Sequence, residues 1–137
     1  MISPAMQAFI DEQKARIQAL SAKWRTALWL NGWTITDSFY TDTLSKDSGA
    51  SEIAECVAQT FVDAPYLEAT IRWHVPSIAD MDDERLEYIW LHEQMHILLK
   101  EMRLDGLMIE GSGLPHEERV ATLLAHAFQT VAKEGGK

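Results

Sequence analysis

Residues 90–100, WLHEQMHILLK, combine two histidines four positions apart with a glutamate directly after the first histidine. On an α-helix, positions i and i+4 lie on the same face, so His92 and His96 can direct two imidazoles at one metal ion. Glu93 is rotated by about 100° from His92, so its carboxylate can reach a water on that metal without binding the metal itself. The H-E-x-x-H spacing therefore predicts a helix that carries two zinc ligands and a general base.

The residues around this motif are mostly apolar. They are Ile89, Trp90, Leu91, Met95, Ile97, Leu98 and Leu99. On a solvated helix, the two histidines and the glutamate would be ordinary surface residues. Burying three polar groups without partners would cost on the order of several kcal/mol, and a bound metal ion would satisfy them. The apolar context therefore favours a metal site.

Patterns outside the motif predict the remaining elements. The helix that contains the motif is expected from about residue 80 to 102, after a run of acidic N-capping residues. Helical periodicity and period-two alternation predict further helices at 4–29 and 115–133 and strands at 33–39, 54–62 and 67–74. This order predicts an α+β fold: an N-terminal helix, a small, mostly antiparallel sheet of three strands, the motif helix and a C-terminal glutamate-bearing helix. At 137 residues, the chain is expected to form one domain, 1–137.

A catalytic zinc site takes three protein ligands, so the motif needs a third one from elsewhere in the chain. The last helix offers four candidates: His116, Glu117, Glu118 and His126. Glu117 lies nearer the centre of the apolar stripe of that helix. Glu118 shares a face with Ala121 and Ala125, whose small side chains allow two helices to approach closely. The residues alone leave the choice between the two glutamates open.

Composition excludes several classes of function. The net charge of −9 argues against nucleic-acid binding, which depends on Lys and Arg at phosphates. No run of 18 apolar residues is present, so no membrane span is expected. The N-terminal sequence has no secretion signal, and the single cysteine, Cys56, fits a reducing compartment. A cytoplasmic protein is expected.

The motif and a later segment together resemble a known group of enzymes. HEQMH is followed, 22 residues after its second histidine, by ERVA at 118–121. This pattern resembles the gluzincins, and the whole chain resembles the minigluzincins and the small zincin-like metallopeptidases of phages and bacteria. The resemblance implies that Glu118 is the third zinc ligand and that Glu93 is the catalytic base. Thr122 departs from the pattern, because thermolysin-like members carry an aspartate there that bonds a ligand histidine.

The function expected from these features is that of a zinc-dependent endopeptidase with one Zn²⁺ per chain. His92, His96 and Glu118 would hold the metal, and Glu93 would move the proton. The alternative is a zinc-stabilised binding or regulatory module with little or latent proteolytic activity. A peptide or protein substrate could add as a strand to the alternating stretch from Leu67 to His74, if that stretch forms the sheet edge. An ordinary strand without a ligand is the other interpretation of this stretch.

Overall fold

A computed structural model describes residues 2–41, 57–104 and 114–135. Its helices are α1 (Pro4–Trp24), α2 (Val75–Ala79), α3 (Asp83–Leu104) and α4 (Leu114–Gly135), and its strands are β1 (Thr34–Tyr40), β2 (Ala58–Asp63) and β3 (Glu68–His74). The α+β class and the order of the predicted elements are confirmed. Cys56 and the first residues of the strand predicted at 54–62 lie outside the described residues.

The first helix begins as the sequence predicts but ends earlier. Ser3 caps α1 by accepting a hydrogen bond of 3.1 Å from the backbone N–H of Met6, and Pro4 follows at the first helical position. The predicted end near residue 29 is wrong, because the chain leaves the helix after Trp24. Trp29 has a left-handed backbone with φ of 61°, which does not continue a right-handed helix, and the turn directs Leu30 into the core.

The three strands form a mixed sheet in the order β1-β3-β2. β2 pairs antiparallel with β3, to which the short 3₁₀ turn Ala64–Tyr66 connects it, whereas β1 pairs parallel with β3. The predicted, mostly antiparallel pairing therefore holds for one of these two pairs. Since β3 is bonded on both sides, the expectation that residues 67–74 form the sheet edge is wrong. The strand that continues into the cleft described below is the edge strand β2.

Helix α3 lies at the centre of the molecule. Its consecutive side chains Ile89, Trp90 and Leu91 are all fully buried. Because successive helical residues point about 100° apart, this burial shows that neighbouring elements cover the helix on several sides. Glu87 of α3 contacts α1, and Tyr88 stacks on His126 of α4. Polar residues of α3 are therefore brought into the interior.

The sequence did not predict α2, which follows β3 without an intervening loop. Pro76 ends the strand as expected, but it also occupies the first turn of this five-residue helix, where its missing N–H costs nothing. None of the helices in the described part of the chain is both long and apolar enough to cross a membrane.

Candidate metal centre

The two motif histidines lie one helical turn apart on α3, as their spacing predicts. His92 and the neighbouring Glu93 are buried, and His96 is partly buried. The Nε2 atoms of His92 and His96 are 3.2 Å apart, and the two rings are nearly perpendicular. Both imidazoles therefore present the same ring nitrogen to one small region of space.

Glu118 of α4 completes this group. One carboxylate oxygen lies 2.9 Å from the Nε2 atom of His96, and the other lies 3.2 Å from the Nε2 atom of His92. One ligand atom from each of these three residues falls within 4.8 Å of the others, so the group can hold a metal ion. The two α4 alanines on the same face, Ala121 and Ala125, are fully buried. Their small side chains let α4 come close to α3.

Glu117 occupies a different position from its neighbour. Its carboxylate lies 3.7 Å from the Nδ1 atom of His96, on the side of the ring away from Nε2. The side chain of Glu117 is 4% exposed and that of Glu118 is 27% exposed. The apolar stripe correctly indicated that Glu117 is the more buried of the two. Burial did not identify the residue that joins the histidines, because the Nε2 atoms of the two rings meet the less buried of the two carboxylates.

The remaining ring nitrogen of each histidine faces a side chain of α4. Thr122 Oγ1 lies 3.4 Å from the Nδ1 atom of His92, in the place where the resemblance expects an aspartate. Glu117 faces the same atom of His96. A partner at Nδ1 fixes the orientation of a histidine ring and leaves Nε2 for a metal. For His92, a hydroxyl therefore stands where a carboxylate was expected.

The surroundings shift the pKa values of the two histidines in opposite directions. Burial, together with the nearby charge of His96, lowers the pKa of His92 to about 4. Burial also acts to lower the pKa of His96, but the hydrogen bond that its ring donates to Glu117 and the charges of Glu93, Glu118 and Glu117 outweigh it and raise that pKa. The carboxylates around His96 therefore favour its protonated form, and a metal ion that binds this imidazole competes with the proton.

The donor set fits a transition metal ion. Two imidazole nitrogens and one carboxylate oxygen match the ligand types and the number of protein ligands in catalytic zinc sites. The negative charges of Glu93, Glu117 and Glu118 lie close together around the two imidazoles, and they would repel one another without a nearby cation. The residues present therefore fit a divalent metal ion held by His92, His96 and Glu118.

Glu93 lies beside the metal group and contacts the sheet. The hydroxyl of Thr60, on β2, donates a hydrogen bond of 2.7 Å to Oε1 of Glu93. A cleft of about 510 Å³ opens here between β2, α3 and α4. Its lining consists of Ala58, Gln59, Thr60, Phe61, Val62, Glu93, His96, Lys100, Glu117 and Glu118. The sequence interpretation named Glu93, His96, Glu117 and Glu118, and it missed Lys100 and the residues of β2, of which Thr60 contacts Glu93.

A signal for one of the missed residues was present in the sequence. Lys100 follows His96 by four positions and therefore lies on the motif face of the helix. Nothing in the strand pattern marks Thr60, because its contact with Glu93 joins residues 33 positions apart. Only the packing of β2 against α3 brings that pair together.

Tyr88, His74 and His116 have side chains that could assist a hydrolytic reaction near the motif. Tyr88 is buried, and its ring centroid lies 6.3 Å from that of His92, so it is a core residue near the site. His74 is buried with its Nδ1 atom 2.6 Å from the hydroxyl of Ser77. It does not line the cleft as far as the structure describes that lining. The side chain of His116 lies outside the described residues. His126, a candidate third ligand, is exposed and stacks on Tyr88.

Comparison of the chain with models of known protein families, with characterised proteins and with solved structures gives no match.

Proposed function

We propose that this protein is a zinc-dependent endopeptidase of the gluzincin type. One observation carries the proposal: His92, His96 and Glu118 converge at a cleft in which Glu93 lies beside them. A metal group alone would also suit a structural site. A fourth polar side chain, the Glu93 carboxylate, lies next to the metal group and lines a cleft of peptide-binding size, which is what hydrolysis requires in addition.

The chain contributes positioning and proton transfer to this reaction. A zinc ion held by the three ligands would supply Lewis-acid activation of water and of the peptide carbonyl. Glu93 would accept the proton of the attacking water and donate it to the leaving amine. The Thr60 hydrogen bond restricts the Glu93 carboxylate to the side of the cleft that faces β2. Thr122 and Glu117 keep the ligand rings from rotating.

The substrate would lie along β2. This strand is at the edge of the sheet and lines the cleft over residues 58–62. Its backbone N–H and C=O groups on the outer side have no strand partner among the described residues, so an extended peptide can pair with them. Strand addition, first expected at residues 67–74, is therefore proposed at β2 instead.

Metal content and hydrolysis test this proposal together. After dialysis, the protein should retain about one zinc per chain, and the zinc-loaded form should cleave unfolded protein substrates such as casein. Glu93→Gln should keep the metal and lose hydrolysis, because its carboxylate acts on water rather than on zinc. His96→Ala should lose both properties.

Three results would contradict the proposal or its assignment of roles. Retention of less than about a tenth of an equivalent of zinc, with no uptake on titration, would remove the metal site on which the chemistry depends. Full zinc occupancy without cleavage of any unfolded substrate would favour the zinc-stabilised binding or regulatory module. Release of zinc by Glu93→Gln as readily as by His96→Ala would mean that the base and ligand roles are assigned wrongly.

A further inference from the structure

Lys100 is opposite in charge to the carboxylates around it. The described lining of the cleft includes three carboxylates, those of Glu93, Glu117 and Glu118, and Lys100 is the one lysine or arginine in that described lining. The side chain of Lys100 is partly buried. A single ammonium therefore stands in a cleft that is otherwise acidic.

Among the residues that the structure describes, this ammonium has no polar contact that would explain its position. Other lysines of the helices have clear structural partners: Lys23 pairs with Glu87, and Lys133 pairs with Glu84. Lys100 takes part in none of the ion pairs or hydrogen bonds found within the described ranges 2–41, 57–104 and 114–135. Partial burial of an unpaired ammonium is unfavourable, and an anionic ligand in the cleft would offset that cost.

Helix geometry places Lys100 at a defined distance from the reacting centre. It follows His96 by one turn and Glu93 by seven residues, so all three lie near one face of α3. Seven residues correspond to about 10 Å along a helix. The same length corresponds to about three residues of an extended peptide. A peptide lying in the cleft with its scissile bond at Glu93 would thus pass Lys100 within about three residues of that bond.

From these observations we infer that Lys100 selects peptides carrying a carboxylate within about three residues of the scissile bond. The carboxylate is either an Asp or Glu side chain or the free C-terminus, since an ammonium recognises both by the same charge-assisted hydrogen bond. This inference rests on the proposed function, since it assigns a specificity to the same cleft. Its test is a binding measurement, which does not require turnover.

Binding is measured with the zinc-loaded Glu93→Gln protein, because this variant should bind a peptide without cleaving it. The first set consists of labelled ten-residue peptides built from Gly, Ala, Ser and Gln. Each peptide carries a single Asp at a different position, and its control carries Asn at that position. A second set compares a free C-terminal acid with its amide. In fluorescence anisotropy, the carboxylate at the favoured position should tighten binding by about tenfold. If the free C-terminal acid binds more tightly than the amide, Lys100 recognises the C-terminus. If an Asp peptide binds more tightly than its Asn control, Lys100 recognises an acidic side chain.

Lys100→Met in the same background should abolish the preference and leave zinc affinity unchanged. The matched control is Lys14→Met, which removes a partly buried lysine of α1 that lies over the ring of Phe39 and should retain the preference. The inference would be overturned if the preference for a carboxylate persisted in Lys100→Met. It would also be overturned if the Glu93→Gln protein with Lys100 intact showed no such preference. A carboxylate preference in binding without any hydrolysis by the wild-type chain would contradict the endopeptidase alone. Hydrolysis without a carboxylate preference would contradict the role of Lys100 alone.

Discussion

Glu117 and Glu118 show how far the roles of two neighbouring residues can differ. Successive residues on a helix point about 100° apart, so only one of them can meet the Nε2 atoms of His92 and His96. That residue is Glu118, whose two oxygens lie 3.2 and 2.9 Å from these atoms. Glu117 instead lies behind His96, at Nδ1.

We therefore expect Glu118→Ala to weaken zinc binding by more than about 100-fold, since it removes a ligand. Glu117→Ala should weaken it by about tenfold, the scale of the loss when a partner of a ligand histidine is removed. Competition with a chromogenic chelator measures both affinities. A larger loss for Glu117→Ala than for Glu118→Ala would contradict the assignment.

Thr60 permits a second test at the scale of single residues. Its hydroxyl donates to Glu93, so Thr60→Val, which keeps the shape and removes the donor, should lower kcat by about five- to tenfold. KM should change little, because the backbone of β2 is unaltered. Thr60→Ser should restore kcat, since it restores the hydroxyl. If Thr60→Ser is as slow as Thr60→Val, the hydrogen bond does not position the base.

At the scale of elements, Glu87 joins α1 to α3. Its carboxylate accepts hydrogen bonds of 2.7 Å from Lys23 and 3.0 Å from the indole N–H of Trp24. Burial acts to raise the pKa of Glu87, but these two hydrogen bonds, the charge of Lys23 and the nearby amide of Gln129 outweigh it and lower the pKa below the ordinary 4.5. The ionised carboxylate is therefore the form that the packed helices stabilise.

This direction predicts how stability depends on pH. A carboxylate with a lowered pKa in the folded protein stabilises the fold above its unfolded pKa, and that contribution is lost as pH falls through the folded pKa. Glu87→Gln should therefore reduce the free energy of unfolding at pH 7 by about 1–3 kcal/mol. The difference between the two proteins should shrink as pH falls below 4.5. Urea titrations at several pH values measure it, and a difference that grows on acidification would contradict the role of Glu87.

At the scale of the whole molecule, the candidate metal site connects the two longest helices of the described residues. His92 and His96 belong to α3 and Glu118 to α4, so an ion held by all three ties the C-terminal helix to the centre of the fold. A ligand that binds only the folded state stabilises it in proportion to the logarithm of its free concentration over Kd.

Zinc at 100 times its Kd should therefore raise the free energy of unfolding by about 2.7 kcal/mol and Tm by several degrees. His96→Ala should show no such rise, and a chelator should reverse it in the wild-type protein. Differential scanning calorimetry with and without zinc measures the effect. An equal rise in His96→Ala would place the stabilising metal elsewhere in the molecule.

The sequence by itself determined the features that depend on local geometry. The spacing of His92 and His96 is a property of one helical turn, so the pair of ligands followed once the helix was predicted. The Ser3 cap and the strand alternation likewise depend on neighbours in the chain, and the α+β class followed from the order of the elements.

Only the tertiary structure decided which distant elements meet. In the sequence, the apolar stripe favoured Glu117, while the small residues Ala121 and Ala125 and the family resemblance favoured Glu118. The close packing of α4 through these two alanines brings Glu118 to the histidines. Strand order also lay beyond local patterns, because period-two alternation does not specify a partner; β3 therefore proved central and β2 became the edge. The Thr60–Glu93 contact exists only because that edge packs on α3. Such contacts depend on the mutual fit of whole faces, and no single segment of the sequence encodes that fit.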